Sequence, residues 1–121
     1  MKTKNTPFKS PKINFKISKK DTNNNFALLP NALQKKLQIF INEVIINNPK
    51  IKFSHPELVK LQILKNTFLN DEISITAQHQ LLSSKKMLLH TFVVQTNKRK
   101  NTTVCKASFK IGLEHYYKKA S

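Results

Sequence analysis

The sequence predicts an α+β domain: two amphipathic helices followed by an antiparallel β-hairpin, with an extended basic N-terminal arm. Three observations carry that expectation. Two apolar runs, Leu88–Thr96 and Asn101–Ile111, flank a polar tip, and the second sets Thr103, Cys105, Ala107, Phe109 and Ile111 against Lys106, Ser108 and Lys110. Residues Asn31–Asn47 repeat apolar side chains at three- and four-residue spacing. Seven lysines (Lys2, Lys4, Lys9, Lys12, Lys16, Lys19 and Lys20) precede the first acid, Asp21. The expected division is a basic extended arm over residues 1–25 and a single small α+β nucleic-acid-binding domain over 26–121.

Within the arm, Pro7 and Pro11 oppose a helix, while Ile13, Phe15 and Ile17 alternate with Asn14 and Lys16 as a short strand does. The polar run Asp21–Asn25 closes it. The first helix opens at Asn31 after Pro30 and turns Leu33, Leu37, Phe40, Ile41, Val44 and Ile45 to one side. It stops at Asn47-Asn48-Pro49, because a residue before proline avoids the α region. Residues Lys50–Phe53 read as a short strand. Ser54 and Glu57 then form a capping-box pattern, opening a second helix to Leu69 that buries Leu58, Leu61, Leu64 and Phe68.

Residues Ile73–Lys86 admit two readings. Ile73, Ile75 and Ala77 alternate as in a strand, and Thr76–Leu82 reads as a short helix, the reading preferred here. In the hairpin, pairing Thr96 with Asn101 sets Val94 opposite Thr103, Phe92 opposite Cys105 and Leu88 opposite Phe109. Slipping by one would face Phe92 with Lys106. Gly112 permits a turn into a basic end, Leu113–Lys119.

Charge dominates the composition: 22 Lys and Arg against 6 Asp and Glu, a formal +16. Arg99 is the sole arginine, and the preference for Lys, Asn and Ile is what an AT-rich genome writes; the shortage of acids has no such origin. A field of this sign favours polyanions. The candidate nucleic-acid contacts are the seven arm lysines, the tip residues Lys98, Arg99 and Lys100, the strand residues Lys106 and Lys110, and a terminal cluster of Tyr116, Tyr117, Lys118 and Lys119. In that cluster aromatic rings would stack on bases while lysines hold phosphate.

Catalytic and metal patterns are missing from the sequence. One cysteine excludes an internal disulfide, and Cys105, His55, His79, His90 and His115 stand in no ligand spacing. The lone glycine excludes a phosphate-cradling loop, and Ser83-Ser84-Lys85-Lys86 lacks the partner motifs of serine–lysine enzymes. No apolar run reaches the roughly 18 residues of a membrane span, and the N-terminus lacks a secretory apolar core.

The resulting expectation is a non-catalytic RNA-binding structural protein, a ribosomal protein or ribonucleoprotein component of an AT-rich organellar or reduced genome. It would take no cofactor and no metal. Its partners would be nucleic acid, RNA over duplex DNA, and other ribonucleoprotein subunits, in the cytoplasm or an organelle matrix (mitochondrial if organelle-encoded), not secreted. The alternative is a winged-helix DNA-binding protein with the Asn97–Lys100 tip as its wing. A strand over Thr76–Lys86, joining the hairpin in a sheet, removes that alternative.

Overall fold

Helix α1 (Pro30–Asn47) lies on one face of an antiparallel sheet in a computed structural model that describes residues 8–96 and 100–114. The strands are β1 (Ile13–Lys16), β2 (Lys52–Phe53), β3 (Glu57–Ile63), β4 (Glu72–Ser83), β5 (Lys86–Thr96) and β6 (Asn101–Glu114). Their order across the sheet is β1-β4-β5-β6, with β2 and β3 both on the far edge of β6. This architecture corrects the expected two helices and hairpin.

The apolar stripe of α1 explains its position. Leu33, Leu37, Phe40, Ile41 and Val44 are buried, each stabilising the fold by about 1.5–3 kcal/mol. They pack with Ile73 and Ile75 of β4, Met87, Leu89 and Val93 of β5, and Cys105, Ala107, Phe109 and Ile111 of β6. Asn48 closes the helix. Its buried side chain donates to the Val44 and Lys9 carbonyls and accepts from the Lys9 amide, tying the N-terminal segment to the helix end.

The expected second helix, Ser54–Leu69, is replaced by strand β3. Its apolar residues fit both periods, since Leu58, Leu61 and Leu64 recur helically while Val59, Leu61 and Ile63 alternate. Tertiary context decides: β6 offers a free edge, and β3 pairs along it from Lys110 to Cys105 with a bulge between Leu58 and Lys60. The capping box does not form, because the Ser54 amide donates to the Gly112 carbonyl instead. Gly112 makes no turn. It sits inside β6, where a Cβ would run into the Ser54 hydroxyl.

Residues 72–83 are strand, not helix, and pair with β5 from Ile73↔Gln95 to Ser83↔Lys86. That completes the sheet and removes the recognition helix of the winged-helix alternative. The hairpin β5–β6 keeps the expected register only from Thr96↔Asn101 to Val94↔Thr103. A bulge then shifts it by one, giving Val93↔Cys105, Phe92↔Lys106 and His90↔Ser108. Val104 and Cys105, neighbours in sequence, are consequently both buried. The Val104 carbonyl accepts from the Leu64 and Lys65 amides.

The arm also needs correction. Over its described part it is not an extension from the domain: β1 pairs with β4 from Ile13↔Ile75 to Lys16↔Glu72, and Ile17 is fully buried. Past β1, a single 3₁₀ turn (Lys19–Asp21) leads into the loop before α1. There the Asp21 carboxylate accepts hydrogen bonds from the Ser18 hydroxyl at 3.0 Å and the Lys36 ammonium at 3.1 Å. Lys36 also stands 4.7 Å from the centre of the Phe15 ring.

Two predictions follow from this packing. Ile17→Ala should lower unfolding free energy by about 2–5 kcal/mol in a urea titration, and deleting residues 1–20 should lower it further; an unchanged midpoint would contradict a core role for β1. Asp21 supplies the second. Partial burial raises its pKa, but the hydrogen bonds from Lys36 and Ser18, with the charges of Lys36 and Lys20, outweigh this and hold it below its ordinary value. Its contribution is therefore complete above the unfolded carboxyl value of about 3.9 and lost as pH falls through the lower folded value. The acid-side decline should be smaller in Lys36→Met than in the parent chain.

Candidate active site

The loop between β1 and α1 is built to hold one shape. The Asn23 side-chain oxygen accepts from the Asn25 and Ala27 amides at 2.8 and 3.1 Å. The Asn23 amide donates to the Ala27 carbonyl, and Leu28 donates to Thr67 across to the segment after β3. Phe26 sits at φ 63°, a left-handed conformation costing a bulky residue about 1–3 kcal/mol. It is held there by Phe26 N–H to Asn23 and by Leu69 N–H to the Phe26 carbonyl.

This loop brings the chain to the N-terminus of α1, and among the described residues no side chain caps that end. Leu29 occupies the N-cap and Pro30 the first helical position, so Pro30 has no N–H to satisfy. Leu33 N–H bonds back to the Leu29 carbonyl, leaving Asn31 and Ala32 as the first-turn donors without an intrahelical partner. Aligned peptide dipoles make such an end positive.

Beside it lies a pocket of about 210 Å³. Pro30 and Leu33 form one wall and Val93, Val104 and Cys105 the floor. Asn23, Ala27 and Leu28 come from the loop, and Ile63, Lys65, Asn66 and Thr67 from the end of β3 and beyond. Buried Val93, Val104 and Cys105 make its base apolar, and exposed Asn23, Lys65 and Asn66 add amide and ammonium groups, a form suited to an acyl chain with a polar head. Cys105 contributes no thiolate: burial pushes its pKa up to about 11, so it is a neutral thiol at pH 7.

Asp21 is the acid in the loop entering this helix end. Both of its hydrogen bonds fall on Oδ2, and among the described residues Oδ1 accepts none. Sequence reasoning passed over Asp21 because a single acid in a polar run carries no spacing. The signal that marks it is its position between a strand and a proline-led helix.

The sequence-derived contacts are dispersed over this framework. Lys12 and Lys16 lie on or beside β1, Lys19 and Lys20 on the 3₁₀ turn, and Lys9 near the end of α1; all are exposed. Lys106 and Lys110 alternate on the face of β6 away from α1, and Lys100 precedes that strand. Strands β4 and β5 separate the β1 group from the β6 group. Lys2, Lys4, Lys98, Arg99, Tyr116, Tyr117, Lys118 and Lys119 lie outside the described residues. Among the described residues no three of His, Cys, Asp and Glu come together as a metal site, and no helix is long and apolar enough to cross a membrane.

No protein-family model matches the chain, and no curated protein matches it in sequence. Solved structures match its fold. An acyl-CoA hydrolase from Staphylococcus aureus, in complex with butyryl coenzyme A, coenzyme A and coenzyme A disulfide, superposes with a TM-score of 0.76 at 10% identity. The match covers 86% of this chain and 65% of the hydrolase, so the chain spans somewhat under two thirds of that enzyme. A 4-hydroxybenzoyl CoA thioesterase, crystallised as an aspartate-to-asparagine variant with 4-hydroxybenzoyl CoA, gives 0.71 at 12% identity, covering 86% of this chain and 83% of that one. A hexameric thioesterase from Yersinia pestis gives 0.66 at 16%, covering 84% and 93%.

At such identities the shared feature is the fold, a long helix against a curled antiparallel sheet, as in hotdog-fold thioesterases. This overturns the expectation of a non-catalytic RNA-binding, ribosomal or winged-helix DNA-binding protein with nucleic acid as its partner. The first two of these neighbours are enzymes of coenzyme A thioesters, and the third is a thioesterase.

Proposed function

We propose that this chain is a thioester hydrolase of the hotdog fold, acting on an acyl-coenzyme A with its acyl group in the pocket beside α1. The observation that carries the reading is the uncapped N-terminus of an 18-residue helix opening beside an apolar-floored pocket, in a fold whose neighbours hold acyl-CoA ligands. The positive helix end would polarise the thioester carbonyl, with the Asn31 and Ala32 N–H groups as oxyanion donors. Asp21, kept ionised by Lys36 and with Oδ1 open, would take a proton from water as it adds to the carbonyl carbon. Collapse of the tetrahedral intermediate expels the thiolate, which takes up that proton to leave as coenzyme A, and the acyl group departs as a carboxylic acid. Lys65 at the rim has the charge to meet the phosphates of the carrier.

The pocket borders an open strand edge, which supports assembly through a second copy. Leu64 N–H bonds toward β6, so by alternation the Leu61 and Ile63 amides point out from the sheet. Leu58, Val59, Ile63 and Leu64 are large apolar residues left exposed along or just beyond this edge. A two-fold axis through Leu61 would pair Val59 with the second copy's Ile63 and bring Glu57 near the second copy's Lys65. A two-fold at Lys60 would oppose two ammonium groups instead.

Thiol release from a series of acyl-CoA substrates, with calorimetric binding of coenzyme A alone, tests the activity. Turnover above background should fall about 100-fold or more in Asp21→Asn and be blocked in Ala27→Trp, which fills the pocket. A folded parent chain that shows no turnover and no coenzyme A binding would refute the reading. Assembly is tested separately by light scattering. Leu61→Pro removes an amide that faces away from β6, so it should convert a dimer to a folded monomer, and a parent chain that is already monomeric would exclude this edge as an interface.

A further inference from the structure

The open face of the sheet, away from α1, carries a polar row that the pocket beside the helix does not use. Ala107 and Phe109 are buried toward the helix, so Ser108 between them points to the opposite face. Across the ladder, Ser108 stands opposite His90 on β5 and opposite Lys60 on β3. The Ser108 hydroxyl lies 2.9 Å from His90 Nδ1, and His90 Nε2 lies 3.0 Å from the Gln80 side-chain oxygen on β4.

The Gln80 oxygen can only accept, so Nε2 carries the ring proton in the neutral imidazole and Nδ1 presents its lone pair to the serine. This is the nucleophile–base–orienting-group arrangement of covalent acyl transfer, with the two ring nitrogens exchanged relative to the serine protease order. The row opens into a cleft of about 220 Å³ lined by Lys60, Gln62, His90, Phe92, Lys106 and Ser108. Lys60 thus flanks the serine on the side away from its base, and Lys106 follows two residues back on the same face.

We infer that this row is a second acyl-transfer site, with Ser108 as nucleophile, His90 as base, and small acyl esters or thioesters bearing an anionic group as substrates. Ser108 Oγ bonds to the acyl carbon as His90 Nδ1 takes the hydroxyl proton, and Lys60 or Lys106 offsets the oxyanion charge. The leaving alcohol or thiol takes that proton from His90. Water, deprotonated by the same nitrogen, then cleaves the acyl-serine to the carboxylic acid and restores the hydroxyl. Gln80 touches no reacting atom; it is a positioning residue that fixes the tautomer.

The test is an alkyl fluorophosphonate, which bonds to an activated serine oxygen with loss of fluoride and discriminates against the chain's many lysines. Tandem mass spectrometry should place an adduct on Ser108. His90→Asn should slow its formation about 100-fold or more. Gln80→Glu, which still accepts from Nε2–H, should keep the reaction, and Gln80→Leu should slow it. No adduct on Ser108 of the parent chain, or an equal rate in a folded His90→Asn, overturns the inference. Acyl-CoA turnover at the helix-side pocket should persist in Ser108→Ala, which separates the two sites.

Discussion

The one-residue shift at Val104 governs which side chains of the hairpin meet the helix. On β5, residues 87, 89, 91 and 93 are buried and residues 88, 90, 92 and 94 are only half-buried. The bulge lets β6 match that alternation by placing Val104 and Cys105 inward together, so Ala107, Phe109 and Ile111 follow on the helix side. An unshifted pairing would bring Phe92 opposite Cys105 and turn the core face of one strand against the outer face of the other. The bulged carbonyl of Val104 is not left idle: it takes two amides from the end of β3, which fixes one border of the helix-side pocket. The register that seats the helix is also the one that sets His90 against Ser108.

Legibility in the sequence followed the range of the forces involved. Helix α1 was readable because its stripe from Leu33 to Val44 fits only the helical period, and its bounds in the structure differ by one residue. The hairpin was readable because β6 alternates cleanly through Lys106, Ser108 and Lys110. Strand β3 was not. Leu58, Leu61 and Leu64 satisfy two periods, and the deciding partner, β6, lies more than forty residues along the chain. For β4, Ile73 and Ile75 gave the right period, but beyond β1 the strand has exposed residues on both faces, so Gln78–Leu82 showed no alternation to read.

The active-site features were less legible for a different reason. Asp21 is one acid in a polar loop, and what distinguishes it is the partner it finds in Lys36, fifteen residues on. An uncapped helix end reads in sequence as the lack of a favoured residue, with Leu29 where serine or aspartate would ordinarily stand. Likewise Ser108, His90 and Gln80 come from three strands and depend on a register that only the bulge sets. The surplus of lysine dominated the sequence reading, yet the fold distributes the described lysines over both edges and the open face of the sheet.

The two faces of the sheet offer different physical conditions for chemistry on an acyl group. On the helix side, a positive helix end meets an apolar floor, and low polarizability strengthens each dipole–charge interaction there. That side suits a ligand whose acyl end prefers to leave water. Among the described residues no helix lies on the open face, and its sheet amides are engaged in the ladders, so charge stabilisation there comes from the ammonium groups of Lys60 and Lys106. Those groups are hydrated and screened by salt, whereas a helix end is fixed in place. Saturated with substrate, a reaction on the open face should therefore slow with ionic strength more than one beside α1, because there the oxyanion itself is met by mobile surface charge, whereas beside α1 such charge, at Lys65, meets only the carrier.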